Sequence, residues 1–223
     1  MSDAPAPVWV VVLIKDFGDA KQRLRPALHS GQRQELARAN ARLALAAAEA
    51  GDRVLAVCGS ERAAELARQA GAEVLLEVSP SGQNPAARLG LAHAVSRGAG
   101  AVLLLSSDLP LVNRQAVAGM LASARRLAPP AVIAAPAAGR GGTNALYLCP
   151  PDAVDLHFGN NSLVEFERDA ASRGVCFQLY ESPLLALDLD EPADLAELRR
   201  QGASGQELAW PESRRKYPHM TGS

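Results

Sequence analysis

The stretch Val8–Ile14, VWVVVLI, is an unbroken apolar run and decides the fold class. A short, continuous run rich in Val and Ile is typical of a strand buried on both faces of a parallel sheet. Further short runs of the same character are Val54–Val57, Val74–Leu76, Val102–Leu105 and Val132–Ala135. We predict that these runs are the central strands of one sheet.

Between these runs lie segments rich in Ala, Leu, Arg and Glu with helical spacing. They are Gln32–Ala50, Glu61–Ala70, Pro85–Arg97 and Arg114–Leu127. Strands that alternate with helices in this way favour a doubly wound, mostly parallel α/β sheet flanked by helices.

The pattern changes after Ile133. There we predict strands at Asn144–Leu148, Val175–Tyr180 and Leu184–Leu187, and helices at Ser162–Arg173 and Pro192–Arg200. These elements extend the same sheet into a mixed one, so residues 1–201 are predicted to form a single domain. Residues 202–223 are rich in Gly, Ser, Pro and charge, and we expect a flexible tail or one packed on a partner.

Composition narrows the class of protein. The 223 residues are 48% hydrophobic and 21% charged, as in an ordinary globular protein. A net charge of -1 gives no field that would attract nucleic acid or a membrane, and no apolar run reaches the roughly 18 residues of a membrane span. Cys58, Cys149 and Cys176 lack disulfide or zinc spacing, so we expect a protein of the reducing cytoplasm.

Ligands in open α/β sheets bind beyond the carboxyl ends of the strands. The loop after Val8–Ile14 carries four cations within eleven residues: Lys15, Lys21, Arg23 and Arg25. These side chains can converge on a polyphosphate, although a solvated loop is the alternative. The loop contains neither G-x-x-x-x-G-K-[ST] nor G-x-G-x-x-G, which disfavours a P-loop or dinucleotide site.

Carboxylates follow two of the later segments. Asp108 lies three residues after the run Val102–Leu105. Pro110 follows closely and favours a stiff loop that presents the acid to a metal cation. Asp188 and Asp190 alternate along a predicted strand and therefore share one face. Two like charges at that distance are costly unless they share a cation. Simple helix capping is the alternative for Asp108 and Asp190.

Two Gly-containing turns complete the candidate site. Gly141–Asn144 precedes a strand and offers the hydroxyl of Thr143, and Phe158–Ser162 precedes a helix whose free N–H groups favour an anion. Taken alone, each is equally typical of an ordinary turn or helix cap.

Together these features resemble one family. The matching stretches are Lys15 with Ala20–Leu24, then Gln83–Ala86, Ser106–Leu111, Gly142–Leu146, Phe158–Ser162 and Leu187–Leu195. In this order they are similar to the guanylyltransferases of coenzyme F-420 biosynthesis, which act on 2-phospho-L-lactate or phosphoenolpyruvate. The resemblance covers nearly the whole chain.

The resemblance implies a fold like that of the nucleotide-diphospho-sugar transferases, called GT-A-like. It implies GTP as the substrate that donates GMP to a small phosphorylated acid, with release of pyrophosphate. It further implies Mg²⁺ or Mn²⁺ on three acidic ligands, a nucleotide side and an acceptor side. The metal ligands are Asp108, Asp188 and Asp190; the nucleotide side is Lys15, Lys21, Arg23 and Asn84; the acceptor side is Thr143, Gly159 and Ser162. Asp108, Lys21 and Arg23 are the implied catalytic residues.

Two positions depart from the family pattern. Ile14 stands where the family usually has Pro, and Phe166 stands where it usually has His. The change at Phe166 leaves the acceptor open between phospholactate, phosphoenolpyruvate and 3-phosphoglycerate. Alternatives are a molybdopterin cytidylyltransferase-like or sugar-phosphate enzyme and a non-catalytic nucleotide-binding module. A homodimer is possible.

Overall fold

A computed structural model describes residues 7–18, 21–139 and 141–202. The strands in this part of the chain are β1 (Val8–Ile14), β2 (Arg53–Cys58), β3 (Glu73–Leu76), β4 (Ala101–Ser106), β5 (Ala131–Pro136), β6 (Thr143–Cys149) and β7 (Cys176–Leu179). The helices are α1 (Ser30–Ala48), α2 (Glu61–Gln69), α3 (Gln83–Ser96), α4 (Arg114–Ala124), α5 (Ser162–Ser172), α6 (Pro183–Ala186) and α7 (Pro192–Gly202). The predicted tail is residues 202–223; Gly202 is the last residue of α7, and residues 203–223 lie outside the described residues.

The strands form one mixed sheet in the order β3-β2-β1-β4-β6-β5-β7. Strands β3, β2, β1 and β4 are parallel to one another, whereas β6 is antiparallel to both β4 and β5. Strand β7 is parallel to β5. The predicted doubly wound, mostly parallel mixed sheet is confirmed.

Strand β1 lies at the centre of the core. Val10, Val11 and Val12 are fully buried. Val10 and Val12 pack in the cluster that includes α1, α2 and α4, while Val11 packs in the cluster that includes α3 and α5. Helices thus cover both faces of the sheet, which explains why the run has no polar alternation.

Helix α3 lies unusually close to the sheet at Gly90. A Cβ atom there would be 2.6 Å from Val11 Cγ1 and 3.0 Å from Val57 Cγ2, which is closer than side-chain packing allows. The missing side chain therefore lets α3 pack directly on β1 and β2.

The prediction of a strand at Leu184–Leu187 is wrong, because its first three residues belong to the helix α6. Pro183 occupies the first turn, where its fixed φ fits a helix and its missing N–H costs nothing. The carbonyl of Ser182 accepts hydrogen bonds from Leu185 N at 3.0 Å and Ala186 N at 2.9 Å.

The segment Leu187–Asp190 that follows is also not a strand of the sheet. Its side chains nevertheless alternate as predicted, since Leu187 and Leu189 are buried and both aspartates are partly exposed. No helix in the described part of the chain has the length and apolar character to cross a membrane.

Candidate active site

Three neighbouring cavities meet at the carboxyl ends of β1 and β4. The apolar cavity is lined by residues that include Leu13, Val57, Glu77, Pro80, Gln83 and Ala86. The cationic cavity is lined by residues that include Asp16, Phe17, Lys21, Gln22 and Arg23. The polar cavity is lined by residues that include Thr143, Asn144, Phe158, Gly159, Asp188 and Asp190. Lys15 and Asp108 line all three, so these two residues mark the junction of the cavities.

An ion pair lies at this junction. Lys21 Nζ is 2.8 Å from Asp108 Oδ1 and 4.0 Å from Asp190 Oδ1, and the side chain of Lys21 is only 2% exposed. The contact is a close, buried ion pair. Lys21 holds this position from a left-handed backbone, with φ 59° and ψ 39°.

The charges around Asp108 decide its ionisation. Burial pushes the pKa of its carboxyl upward, but the ammonium groups of Lys21 and Lys15 outweigh burial and hold the pKa below its ordinary value. Asp108 is therefore ionised over the whole range in which the protein would work.

The backbone of Asp108 is fixed from two sides. Its carbonyl accepts a hydrogen bond from Leu189 N at 3.1 Å and one from Asn40 Nδ2 at 3.4 Å. Asn113, rather than Asp108, caps α4, because its Oδ1 accepts from Ala116 N at 2.9 Å. Capping, the alternative interpretation of Asp108, is therefore wrong. Sequence reasoning missed Asn40, whose only signal was one amide on an otherwise apolar helix face.

Asp188 and Asp190 face the polar cavity. At the start of α7 the side-chain acceptor is Asp194, whose Oδ2 receives Asp190 N at 2.8 Å and Glu191 N at 2.7 Å. The carboxylate of Asp190 lies at the cavity, 4.0 Å from the ammonium of Lys21.

Thr143 and Ser162 form a buried pair. Ser162 Oγ donates a hydrogen bond to Thr143 Oγ1 at 3.0 Å, and Ser162 is fully buried. Thr143 lines the polar cavity, whereas Ser162 lies behind it. Gly159 also lines the cavity, with a φ of 137° that side-chain-bearing residues rarely adopt.

Two amides fix the backbone around the polar cavity. Asn84 Nδ2 donates to Phe158 O at 2.9 Å, and Asn84 Oδ1 accepts from Phe158 N at 2.8 Å. Asn84 thus holds the turn before α5 against α3, and the residue that lines the apolar and polar cavities is its neighbour Gln83. Asn144 Nδ2 donates to Leu185 O at 2.8 Å, which ties β6 to the segment carrying the aspartates.

The remaining predicted residues lie in different positions. Arg23 lines the cationic and polar cavities, with its guanidinium 3.7 Å from Glu191 Oε1. Arg25 is exposed and lines none of the three cavities. Phe166 is fully buried, with its ring edge-on to those of Phe158 and His157. It supports the turn at Phe158 from the core.

The residues present suit a divalent cation in chemistry. Asp108, Asp188 and Asp190 line one cavity and offer the carboxylate oxygens that Mg²⁺ and Mn²⁺ prefer. The ammonium of Lys21 already stands between two of them, so this rim attracts a cation. Among the described residues no group of three or more acidic, His or Cys side chains forms a ready metal site. In this structure the ammonium of Lys21 occupies the position between Asp108 and Asp190.

The fold belongs to the class of nucleotide-diphospho-sugar transferases and related nucleotidyltransferases. A putative nucleotide-diphospho-sugar transferase from Desulfovibrio desulfuricans G20 superposes with a TM-score of 0.71 at 16% identity, and the match covers 89% of each chain. The predicted fold class is thereby confirmed.

Within this class, the chain belongs to the family described as "Guanylyl transferase CofC like", which matches residues 8–209. It is 35% identical over 199 residues to a phosphoenolpyruvate guanylyltransferase of Conexibacter woesei, covering 88% of this chain and 89% of the relative. It is 33% identical over 193 residues to a 2-phospho-L-lactate guanylyltransferase of Methanothermobacter thermautotrophicus, covering 86% and 84%. It is 37% identical over 196 residues to a 3-phospho-D-glycerate guanylyltransferase of Phenylobacterium zucineum, covering 85% and 88%. The protein is a nucleotidyltransferase of the guanylyltransferase family, as the six stretches predicted.

Proposed function

We propose that the protein transfers GMP from GTP to a short phosphorylated acid and releases pyrophosphate, as a step of coenzyme F-420 biosynthesis. The acceptor would be phosphoenolpyruvate, 2-phospho-L-lactate or 3-phospho-D-glycerate, the compounds in the names of its relatives. The observation that carries the proposal is the junction at Lys15 and Asp108, which connects cavities of three different chemistries.

The three cavities suit the three parts of the reaction. Apolar walls at Leu13, Val57 and Ala86 suit a planar base. The ammonium and guanidinium groups of Lys21 and Arg23 suit the β- and γ-phosphates. The hydroxyl and backbone groups of the polar cavity suit the phosphate and carboxylate of an acceptor. The α-phosphorus would then lie at the junction, where donor and acceptor meet.

The reaction needs little covalent chemistry from the protein. A phosphate oxygen of the acceptor attacks the α-phosphorus of GTP, and the bond from that phosphorus to the bridging oxygen breaks. Pyrophosphate leaves with the electron pair. Lys21 and Arg23 would stabilise the negative charge that develops on it. Because the acceptor phosphate is already ionised, the chain's task is to position the two substrates in line.

Asp108, Asp188 and Asp190 would together hold Mg²⁺ or Mn²⁺ on the triphosphate. Their position in one cavity and their carboxylate chemistry support this role. When bound, such an ion supplies positive charge to the phosphate oxygens. The ammonium of Lys21 would turn from the aspartates to the incoming phosphates, because the phosphates are also anions and can replace the aspartates as its partner. Thr143 and Gly159 would contact the acceptor directly, with Ser162 orienting the hydroxyl of Thr143.

A matrix of substrates tests the proposal. GTP, ATP, CTP and UTP are each combined with the three phospho-acids and with a sugar phosphate, and product mass and pyrophosphate release are measured. We expect turnover with GTP and one dominant phospho-acid. A preference for CTP or for the sugar phosphate would instead favour the related enzymes. Nucleotide binding without turnover of any pair would favour a non-catalytic module. The cytoplasmic location, the homodimer and the domain bounds of 1–201 stay predictions.

A further inference from the structure

Glu77 is an acidic residue of the apolar cavity that neither phosphate nor metal chemistry uses. We propose that its carboxylate recognises guanine, by accepting hydrogen bonds from N1–H and from the exocyclic amino group of the base. The inference rests on the proposed function, because it assumes that the base of GTP occupies the apolar cavity.

The position of Glu77 is fixed by the sheet. The residue directly follows β3, and its N–H donates to Cys58 O, at the end of β2, at 2.9 Å. Its carboxylate lies over Gly59, since a Cβ atom on that glycine would be 3.6 Å from Glu77 Oε2. The same Cβ would be 3.1 Å from Asp16 N. A glycine at this position therefore keeps the floor of the cavity free below the carboxylate.

The carboxylate of Glu77 has no hydrogen-bond or ion-pair partner among the described residues. The other acids of the cavity do have partners, since Asp108 pairs with Lys21 and Asp16 accepts from Gly18 N at 3.1 Å. Glu77 is also partly buried, and burial raises the pKa of its carboxyl above the ordinary value. A partly desolvated acceptor without a protein donor is stabilised by a ligand that brings donors.

The size and walls of the cavity suit a purine ring. Its volume is about 220 Å³, and Leu13, Val57 and Ala86 give it apolar walls against which a flat ring can pack. Lys15 and Asp108 stand at its opening to the other cavities. A base held at Glu77 thus extends its sugar and phosphates towards the junction where transfer takes place.

Hydrogen-bond chemistry makes the carboxylate selective. An ionised carboxylate only accepts hydrogen bonds. Guanine presents two adjacent donors, N1–H and the amino group on C2, which a carboxylate can accept as a pair. Adenine presents a bare acceptor at N1, so its lone pair would face the carboxylate. Sites built around a required hydrogen bond reject analogues that lack it far more strongly than apolar pockets reject a missing methylene.

The Glu77→Gln variant tests this contact, since its amide still accepts from N1–H but now places donors beside C2. We expect kcat/KM for GTP to fall about 100-fold because KM for GTP rises. KM for the acceptor should stay unchanged. Xanthosine triphosphate, which carries an oxygen on C2, should become a better substrate for the variant than for the wild type. For the wild type, inosine triphosphate, which lacks the amino group, should be about tenfold worse than GTP.

Glu49→Gln is the matched control, because Glu49 is exposed at the end of α1 and lines none of the three cavities. It should leave turnover of GTP, xanthosine triphosphate and inosine triphosphate unchanged. A gain with xanthosine triphosphate cannot come from misfolding, and thermal denaturation of both variants checks their stability. If the wild type turns over GTP but Glu77→Gln behaves like Glu49→Gln, the inference is overturned and the proposed function stands. If the wild type does not turn over GTP, the proposed function itself fails.

Discussion

The two sides of the site are built in different ways. On the side of the parallel strands β1 to β4, the cavities are lined by charged groups that face each other, chiefly Lys21 and Asp108. On the side of the antiparallel strand β6, neutral groups are already hydrogen-bonded to one another, as in Thr143 with Ser162 and Asn144 with Leu185. The comparison indicates that the first side acts by charge that can be rearranged, and the second by a shape that is fixed in advance.

Sheet topology explains why the sides meet. Strand β6 runs antiparallel to β4, with Ala145 opposite Leu105. The first residue of β6, Thr143, therefore lies beside the last residues of β4 and close to Asp108. If β6 ran parallel to β4, Thr143 would lie at the opposite end of the strands, away from Asp108.

The largest expected effect is at the aspartates that border both sides. Asp188→Asn should lower kcat by two or more orders of magnitude, because an amide cannot replace the charge of a metal-binding carboxylate. Pyrophosphate release at saturating substrates measures this loss, and thermal denaturation checks folding. Asp152→Asn, on an exposed carboxylate outside the three cavities, is the control and should be silent. Near-normal turnover of Asp188→Asn would remove this residue from the mechanism.

A smaller effect should come from the charge that we describe as movable. Lys21→Met keeps an unbranched chain that is one atom shorter but removes the ammonium, so kcat/KM for GTP should fall by about 100-fold at most. The same change should strengthen Mn²⁺ binding in the absence of GTP, since no ammonium competes for Asp108 and Asp190. Paramagnetic resonance of free Mn²⁺ measures this directly.

The control for Lys21→Met is Arg25→Met, which removes an exposed cation of the same loop. It should change neither the turnover nor the affinity for Mn²⁺. Equal or weaker Mn²⁺ binding by Lys21→Met would show that the ammonium does not hold the place of a metal ion. The charge on the side of β1 and β4 would then be as fixed as the hydrogen bonds on the side of β6.

The smallest effect is expected on the fixed side. Thr143→Val keeps the volume of the side chain but leaves the buried hydroxyl of Ser162 without its acceptor. We expect the loss of about 1–3 kcal/mol of stability and a rise of about tenfold in KM for the acceptor, with KM for GTP unchanged. Thr143→Ser retains the hydroxyl and should restore most of both. Equal rises in the two KM values would contradict the division into two sides.

The fold was largely predictable because strand burial leaves a strong local signal. Runs such as Val8–Ile14 and Val102–Leu105 are apolar throughout, and the structure places them at the centre of the sheet. Leu184–Leu187 failed because four residues are too few to distinguish the strand period from the helical one. The decisive feature there was Pro183, which fits the first turn of a helix.

The clearest signal for the site came from residues that follow a strand. Lys15 is the first residue after β1 and Asp108 the second after β4, and both lie at the junction of the cavities. The partners that hold the site came from distant parts of the chain, such as Asn40, which is 68 residues from Asp108. No local pattern marks such a contact, because it arises only when α1 packs beside the loop. The metal and acceptor roles of the predicted residues stay predictions.

Gly90 influences the width of the apolar cavity, where we propose that the base binds. Helix α3 begins at Gln83, on the border of the apolar cavity, and its distance from the sheet is set seven residues later by the bare hydrogen of that glycine. A methyl group there would clash with Val11 and Val57, so we expect it to push α3 outward and to widen the apolar cavity. If the proposed base site is correct, substrate choice can therefore drift through a core position that never touches a substrate.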